Sequence, residues 1–501
     1  MKKCLLQDVV ICFFIIITCS KSYPSIIDPS IAPEITPAQE AWLINNLALA
    51  ESLFVAQLDT ATSNIYILYY NLAFLNFLEK EYSISYNYIK KALNKNRRYG
   101  PALYLVGMIL YNSGDTADAI IFFKSSADYY KFSELPLYEL GKIYFQKGNI
   151  KKATYYFEKA KRKNKKYTKI YPPLSKCYLI SKDTLKAIKI LKEGMSHSYD
   201  AEIILQLADI YNDIGDIKKA IKYYGLFAYL YPHHPDANRV IEWLESKNIH
   251  NPYTDIFTPP PIRTKKDRFF PIGEEKLYSV YYGPIRSGEL YTKIADTLNF
   301  NGTDVYKVYF SIDSNPMLEF IATVHSDYIT YLDRDTKFAV RHYLHTRENK
   351  IINNKIYDFD RKNGKFICRI VQEDGHIQYL EKYLPKYTTD GTSILFYARQ
   401  VVKERRSERV MTIIDENFVI SDINYTNKLE PVELNGKVEM GLLITGKNHY
   451  KGILGFTGNF RGWFKNDITY LPLQADFEIW VGRILIKLAS IEDLRLRRYA
   501  R

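Results

Sequence analysis

The chain has 501 residues, 47% of them apolar, enough to build two or more domains with ordinary cores. Its net charge is +13, but no basic nucleic-acid motif accompanies it. The joint abundance of Tyr, Ile, Asn and Lys points to compositional bias instead, so nucleic acid is not an expected partner. Beyond the N-terminal segment the cysteines are Cys177 and Cys368, which excludes a disulfide framework and a Cys-based zinc site.

Met1-Lys2-Lys3, the apolar run Val9 to Ile17, and Thr18-Cys19-Ser20-Lys21-Ser22 read as an export signal over residues 1–22. The run is short for a bilayer span, and the expected location is the periplasm or cell envelope. Two processing routes stay open. One is cleavage after Ser22. The other is lipidation of Cys19, although Thr18 fits a lipobox poorly. Residues 23–36 form a tether, and Pro37 opens a helical stretch from Ala38 to about Leu58.

The strongest signal is internal. Gly107, Gly114, Ala119 and Phe123 return as Gly141, Gly148, Ala153 and Phe157, each displaced by 34 residues. That period belongs to helix-turn-helix solenoids, with small residues for close helix approach and glycines at the turns. Tyr66 to Asn96 reads as a degenerate copy in which Lys80 replaces the turn glycine. Later copies keep Tyr178, Ala187, Leu191 and Gly194, then Ala208, Tyr211, Gly215, Ala220 and Tyr224. About five repeats are expected, closed by a helix within Pro235 to Lys247. These residues resemble the tetratricopeptide repeat family. The resemblance implies a concave protein-binding face on the first helices, carried here by Tyr104, Tyr111, Asn112, Tyr138, Lys142, Gln146, Lys176, Asp209, Asn212 and Asp213.

Residues 249–268 read as a Pro-rich linker, and from Phe269 the apolar period becomes two. Asn301-Gly302, Asp333-Arg334-Asp335, Asn363-Gly364 and Asn435-Gly436 mark turns between strands, and Thr392 to Val402 reads as a helix. The expected fold is therefore multidomain: an α-solenoid of helix-turn-helix repeats over 37–248, then an antiparallel β-barrel or sandwich domain with one helix over 269–501. Leu277-x-x-Val280-x-Tyr282-Gly283, Asp390-Gly391-x-Ser393-x-x-x-Tyr397-x-Arg399 and Trp463-Phe464-x-Asn466-Asp467 resemble a bacterial periplasmic family of domains of unknown function. That resemblance implies the half-open β-barrel of lipoprotein carriers and brings no activity with it.

Asp390, Ser393 and Arg399 invite a catalytic reading, but a triad needs a histidine that spacing does not supply. The alternative roles are a helix cap for Asp390 or Thr392 and an ion pair for Arg399. His342 and His345, three apart on a strand, face opposite ways, so no metal site is expected, and no cofactor. The reading is a non-enzymatic exported scaffold that binds an envelope protein through the groove, with oligomeric assembly left open. The alternative is a lipid or lipoprotein carrier using a cavity in the β domain. The discriminating feature is whether Trp463, Phe456, Phe460 and Trp480 fill the β lumen, and the aromatic abundance favours a filled one. By analogy of class, composition and export fit a periplasmic flagellar-motor collar of a spirochaete. A clean deletion should then impair motility at normal growth rate, and swimming assays showing intact motility would remove that reading.

Overall fold

The computed structural model describes residues 35–251, 253, 270–315, 324–348, 351–449, 456–479 and 482–500. The export signal, Cys19, most of the tether and most of the linker lie outside these residues.

The repeats form the expected solenoid, preceded by one further helix pair. The stretch from Ala38 to Leu58 is two helices, α1 (Pro37–Leu43) and α2 (Leu47–Leu58). Asn45 takes φ 70° and Asn46 caps Leu49, which breaks the apolar periodicity that reads as a single helix. Five pairs follow: α3 (Ile65–Leu78) with α4 (Tyr82–Lys95), α5 (Gly100–Asn112) with α6 (Thr116–Tyr129), α7 (Leu135–Gln146) with α8 (Ile150–Lys163), α9 (Tyr171–Ile180) with α10 (Thr184–Met195), and α11 (Ala201–Asp213) with α12 (Ile217–Leu230). The closing helix α13 spans Ala237–Ser246. A Cβ at Gly107 would lie 2.7 Å from the Phe123 ring, and one at Gly141 would lie 2.6 Å from Phe157. The repeated Gly and Phe are thus one contact within each repeat, ring on glycine. Gly114, Gly148 and Gly215 turn the chain at positive φ, and Lys80 and Lys182 take the same conformation in the other repeats.

The second half forms one fifteen-stranded sheet in the order β8-β7-β6-β5-β4-β3-β2-β1-β15-β14-β13-β12-β11-β10-β9. Its strands are β1 (Glu275–Tyr282), β2 (Ile285–Phe300), β3 (Thr303–Ser314), β4 (Val324–Asp333), β5 (Ala339–Glu348), β6 (Ile351–Asp360), β7 (Lys365–Val371) and β8 (Ile377–Tyr383). The other arm holds β9 (Thr388–Asp390), β10 (Arg406–Ile414), β11 (Asn417–Leu434), β12 (Lys437–Asn448), β13 (Phe456–Lys465), β14 (Pro472–Ile479) and β15 (Arg483–Leu488). All four expected turns join neighbouring strands, with Asn301-Gly302 and Asn435-Gly436 at positive φ in both positions. The sheet is not closed into a barrel, since β8 and β9 end it without pairing to each other. Its two arms face one another as in a sandwich, with helix α14 (Ser393–Val401) between them. A second helix that the sequence reading lacks, α15 (Ile491–Ala500), ends the described chain. Its Arg497 is buried and pairs with Glu289 and Asp313 on β2 and β3.

The outer face of β3–β7 rests on the solenoid. Trp42, Phe54 and Leu72 share one core with Ile329, Tyr343 and Ile356, and Tyr231 and Leu191 share another with Phe366 and Phe418. Edge strand β8 meets the turns between repeats. The fully buried Asn71 donates from Nδ2 to Gly375 O at 3.1 Å and accepts Ile377 N–H on Oδ1 at 3.1 Å, so its carboxamide stands where a neighbouring strand's peptide would be. Gln378 Nε2 donates to Tyr130 OH at 2.7 Å, Lys382 pairs with Asp200 at 3.4 Å, and Lys386 N–H donates to Leu230 O at 2.7 Å.

Gly141→Val should lower the unfolding free energy by about 1–3 kcal/mol through overpacking against Phe157. Gly148→Ala, which meets open space but keeps φ 69°, should cost about 1 kcal/mol. Urea midpoints that rank the two the other way round would remove the ring-on-glycine account.

Candidate functional site

Two concave surfaces are candidates: the solenoid groove and the interior of the folded sheet. In the groove, α5 and α7 bring five expected residues together. Tyr111 OH donates to Gln146 Oε1 at 2.6 Å, and Lys142 Nζ lies 5.4 Å from the Tyr138 ring centroid and 5.9 Å from that of Tyr111. Tyr104 packs against the Phe123 ring beside them. The buried Glu139, absent from the sequence reading, holds Lys142 at 2.8 Å. Burial raises the Glu139 pKa, and Lys142 opposes that shift. Asn112 contacts Tyr82 OH at 3.5 Å. Lys176 is exposed on α9. Asp209 does not join the aromatic patch; it accepts from Tyr224 OH at 2.7 Å and pairs with Arg239 at 3.2 Å, while Asn212 and Asp213 lie on the last turn of the same helix. The groove is thus an aromatic and cationic patch centred on Lys142, with a separate acidic end.

The interior of the sheet holds a cavity of about 510 Å³ lined from both arms, by Leu290, Phe310 and Leu344 on one side and Ile423, Ile444 and Ala475 on the other. Phe460 lines it without filling it, and Trp463 packs in a separate core with Val432 and Leu473. The Phe456 side chain and Trp480 lie outside the described residues. The expectation of a lumen filled by large aromatics is therefore corrected. Side chains alternate across a strand, and the sheet's pleat turns Trp463 to the opposite face.

Helix α14 closes one end of the cavity, and the residues that look catalytic in sequence fix its position. Arg399 grips Glu274 with both terminal nitrogens, at 2.6 and 3.1 Å, and donates from Nε to Thr469 O at 3.1 Å. Tyr397 OH donates to Glu408 Oε2 at 2.7 Å. Asp390 accepts the backbone N–H groups of Thr392 and Ser393, at 2.8 and 3.1 Å, and both their hydroxyls. A histidine does reach Asp390: His342 Nδ1 lies 3.6 Å from Oδ1. Ser393 is nevertheless no nucleophile of a triad, because its hydroxyl donates to Asp390 and not to His342. His342 lines the cavity, whereas His345 bonds Asn354 with Tyr343 on the other side of β5, so the two do not share a metal. Burial lowers the His342 pKa, partly offset by Asp390. Burial alone would raise Asp390, but His342 and the two hydroxyls outweigh it and hold the carboxyl below its usual range.

No sequence signal marks the cavity, since its walls come from strands as far apart as β2 and β15. The motif Asp390-Gly391-x-Ser393 was visible, but its partner His342 lies 48 positions away by number and is joined to it through tertiary structure.

Fold and site together define a helical repeat scaffold joined to a hollow β domain. Residues 136–165 and 201–234 match the tetratricopeptide repeat family, and residues 277–489 match the family described as Protein of unknown function (DUF3108). The N-terminal half of the chain thus carries tetratricopeptide repeats and the C-terminal half a DUF3108 domain. Among solved structures, the pilF protein of Pseudomonas aeruginosa is 18% identical, with TM-score 0.37, over 41% of this chain and 94% of that one. A thermophilic tetratricopeptide repeat protein of Thermus thermophilus, TTC0263, is 20% identical, with TM-score 0.30, over 35% and 97%. YrrB, described as a TPR protein with an unusual peptide-binding site, is 16% identical, with TM-score 0.28, over 33% and 85%. No curated protein matches.

A buried histidine with a lowered pKa binds fewer protons folded than unfolded. It therefore costs stability as pH falls below its usual value of 6.5. Asp390, whose pKa is lowered too, acts in the same direction but lower down, losing its contribution only as pH falls below its usual 3.8. Between these values His342→Gln should flatten the acid slope of unfolding free energy, and an unchanged slope would show that His342 titrates normally.

Proposed function

We propose that this chain is a non-enzymatic scaffold of the bacterial cell envelope that presents a carrier domain. The solenoid groove binds a protein partner, and the β domain shelters an apolar chain of a lipid or lipidated protein. The observation that carries the reading is the cavity of about 510 Å³, which lies within the range of about 300–1,000 Å³ usual for ligand sites. If dry and closed, such a void would cost on the order of 10 kcal/mol, at about 24 cal/mol per Å³. That is comparable to the whole net stability of a domain. An apolar guest offsets this cost where water does not, because water needs two to four polar partners and the walls are mainly aliphatic and aromatic. The groove supports the scaffold part: Tyr104, Tyr111 and Tyr138 around Lys142 give large contact area at low entropy cost.

Native mass spectrometry of the full-length chain recovered from its own cells tests the reading. Wild type should carry about one equivalent of lipid, and Ala475→Trp, which places an indole in the cavity wall, should lose it while keeping protein partners. A wild type that carries no lipid and fails to bind a fluorescent fatty-acid probe would remove the carrier and leave the scaffold. Tyr111→Ala combined with Lys142→Ala should remove crosslinked protein partners without affecting bound lipid.

A further inference from the structure

The polar groups on the cavity wall are mostly committed to protein partners. Ser421 donates to Asn448 at 2.8 Å, Arg461 pairs with Glu430, and Asp415 pairs with Lys166. His342 differs, and counting hydrogens fixes its tautomer. The single hydroxyl hydrogen of Thr392 goes to Asp390 Oδ1, at 2.6 Å. In the 2.8 Å contact between Thr330 and Thr392, Thr330 must therefore donate. Thr330 Oγ1 then accepts from His342 Nδ1–H at 2.7 Å. The relay from His342 through Thr330 and Thr392 to Asp390 leaves the neutral ring with a bare lone pair on Nε2. That atom has no protein partner among the described residues, although the residue is only 3% exposed and lines the cavity. A second group points the same way. The buried Thr412 Oγ1, on β10 beside β9, also lines the cavity and has no partner among the described residues. A buried polar atom such as Thr412 Oγ1 is costly unless something satisfies it.

We infer that the cavity selects a single-chain amphiphile whose head group bears a hydrogen-bond donor, a carboxylic acid or hydroxyl, which donates to Nε2 of His342. Thr412 offers a donor to the head group's oxygen from the opposite arm of the sheet. The inference rests on the carrier reading and adds chemistry to it. A long-chain acid reaches the cavity as its carboxylate together with one proton from solvent. The bound complex holds that proton between the carboxyl oxygen and Nε2, so binding takes up one proton. The groups facing His342 are Asp390, Tyr328 stacked on the ring and Tyr357 tilted against it, with Glu416 and its partner Lys355 behind Tyr357. Asp390 already accepts four hydrogen bonds, which leaves Nε2 as the open acceptor.

Calorimetric titration of the full chain at about pH 7.5, in two buffers of different ionisation enthalpy, with dodecanoic acid, dodecanol and methyl dodecanoate, tests this. The acid should bind with uptake of about one proton and the alcohol with none, and the ester, which lacks a donor, about tenfold more weakly. His342→Phe should level the three ligands and abolish proton uptake. An ester that binds wild type as tightly as acid and alcohol, with no proton uptake, would overturn the polar anchor and leave the carrier standing. Failure of all three to bind would overturn the carrier reading itself.

Discussion

An open, mostly antiparallel sheet of fifteen strands must do something with its two edges, because unpaired backbone groups there invite pairing with other chains. The rest of this structure follows from how that is done. Edge strand β8 is covered by the turns of the solenoid, with the Asn71 carboxamide standing in for a strand. At the other edge Arg361 Nη2 donates to Ala339 O at 2.9 Å and to Thr388 O at 2.8 Å, tying β9 to the start of β5 without a ladder. Closure by one guanidinium and a covering domain, rather than by strand pairing, leaves the sheet folded but hollow.

The repeats are thereby drawn into a second role. Their inter-repeat turns, which carry no partner in a free-standing solenoid, are occupied along much of their length by the β domain. Two cores run through the boundary, one around Trp42 and Tyr343 and one around Tyr231 and Phe418. The groove patch on α5 and α7 draws Tyr104, Tyr111, Lys142 and Gln146 from outside these two cores, while its Tyr138 also packs against the second of them. At the hairpin between β10 and β11, Asp415 and Glu416 take positive φ and are held by Lys166 of the solenoid and by Lys355 and Tyr357 of β6. Removing Lys355 would leave the charge of Glu416 buried, which is costlier than the pair is stabilising, whereas the half-exposed Lys166–Asp415 pair is worth less.

Inside the sheet, polar chemistry is concentrated around α14. Asp390, Ser393 and Arg399 look in sequence like a site, and in the fold they join Tyr397 as the fittings that hold a helix across the end of a cavity. Their arrangement has a chemical consequence, because Asp390 fixes the orientation of every hydroxyl between itself and His342. A structural cap thus sets the hydrogen-bond character of the cavity wall.

The sequence by itself determined the repeats, the closing helix, the hairpin turns and α14, because each rests on local periodicity or backbone conformation: a 34-residue spacing of Gly and Phe, Asn-Gly at positive φ, an apolar stripe from Ile394 to Val401. It misread Ala38 to Leu58, where Asn45 breaks the helix without disturbing the apolar spacing, and it missed α15, whose charged sequence is held by Arg497 reaching residues 184 to 208 positions away. Tertiary structure alone decided that the lumen is hollow, that Trp463 points away from it, that Asp209 is already paired and that His342 meets Asp390. Each of these depends on which strands become neighbours and which face of the pleat turns inward, and pairing between distant strands leaves no local pattern for the sequence to display.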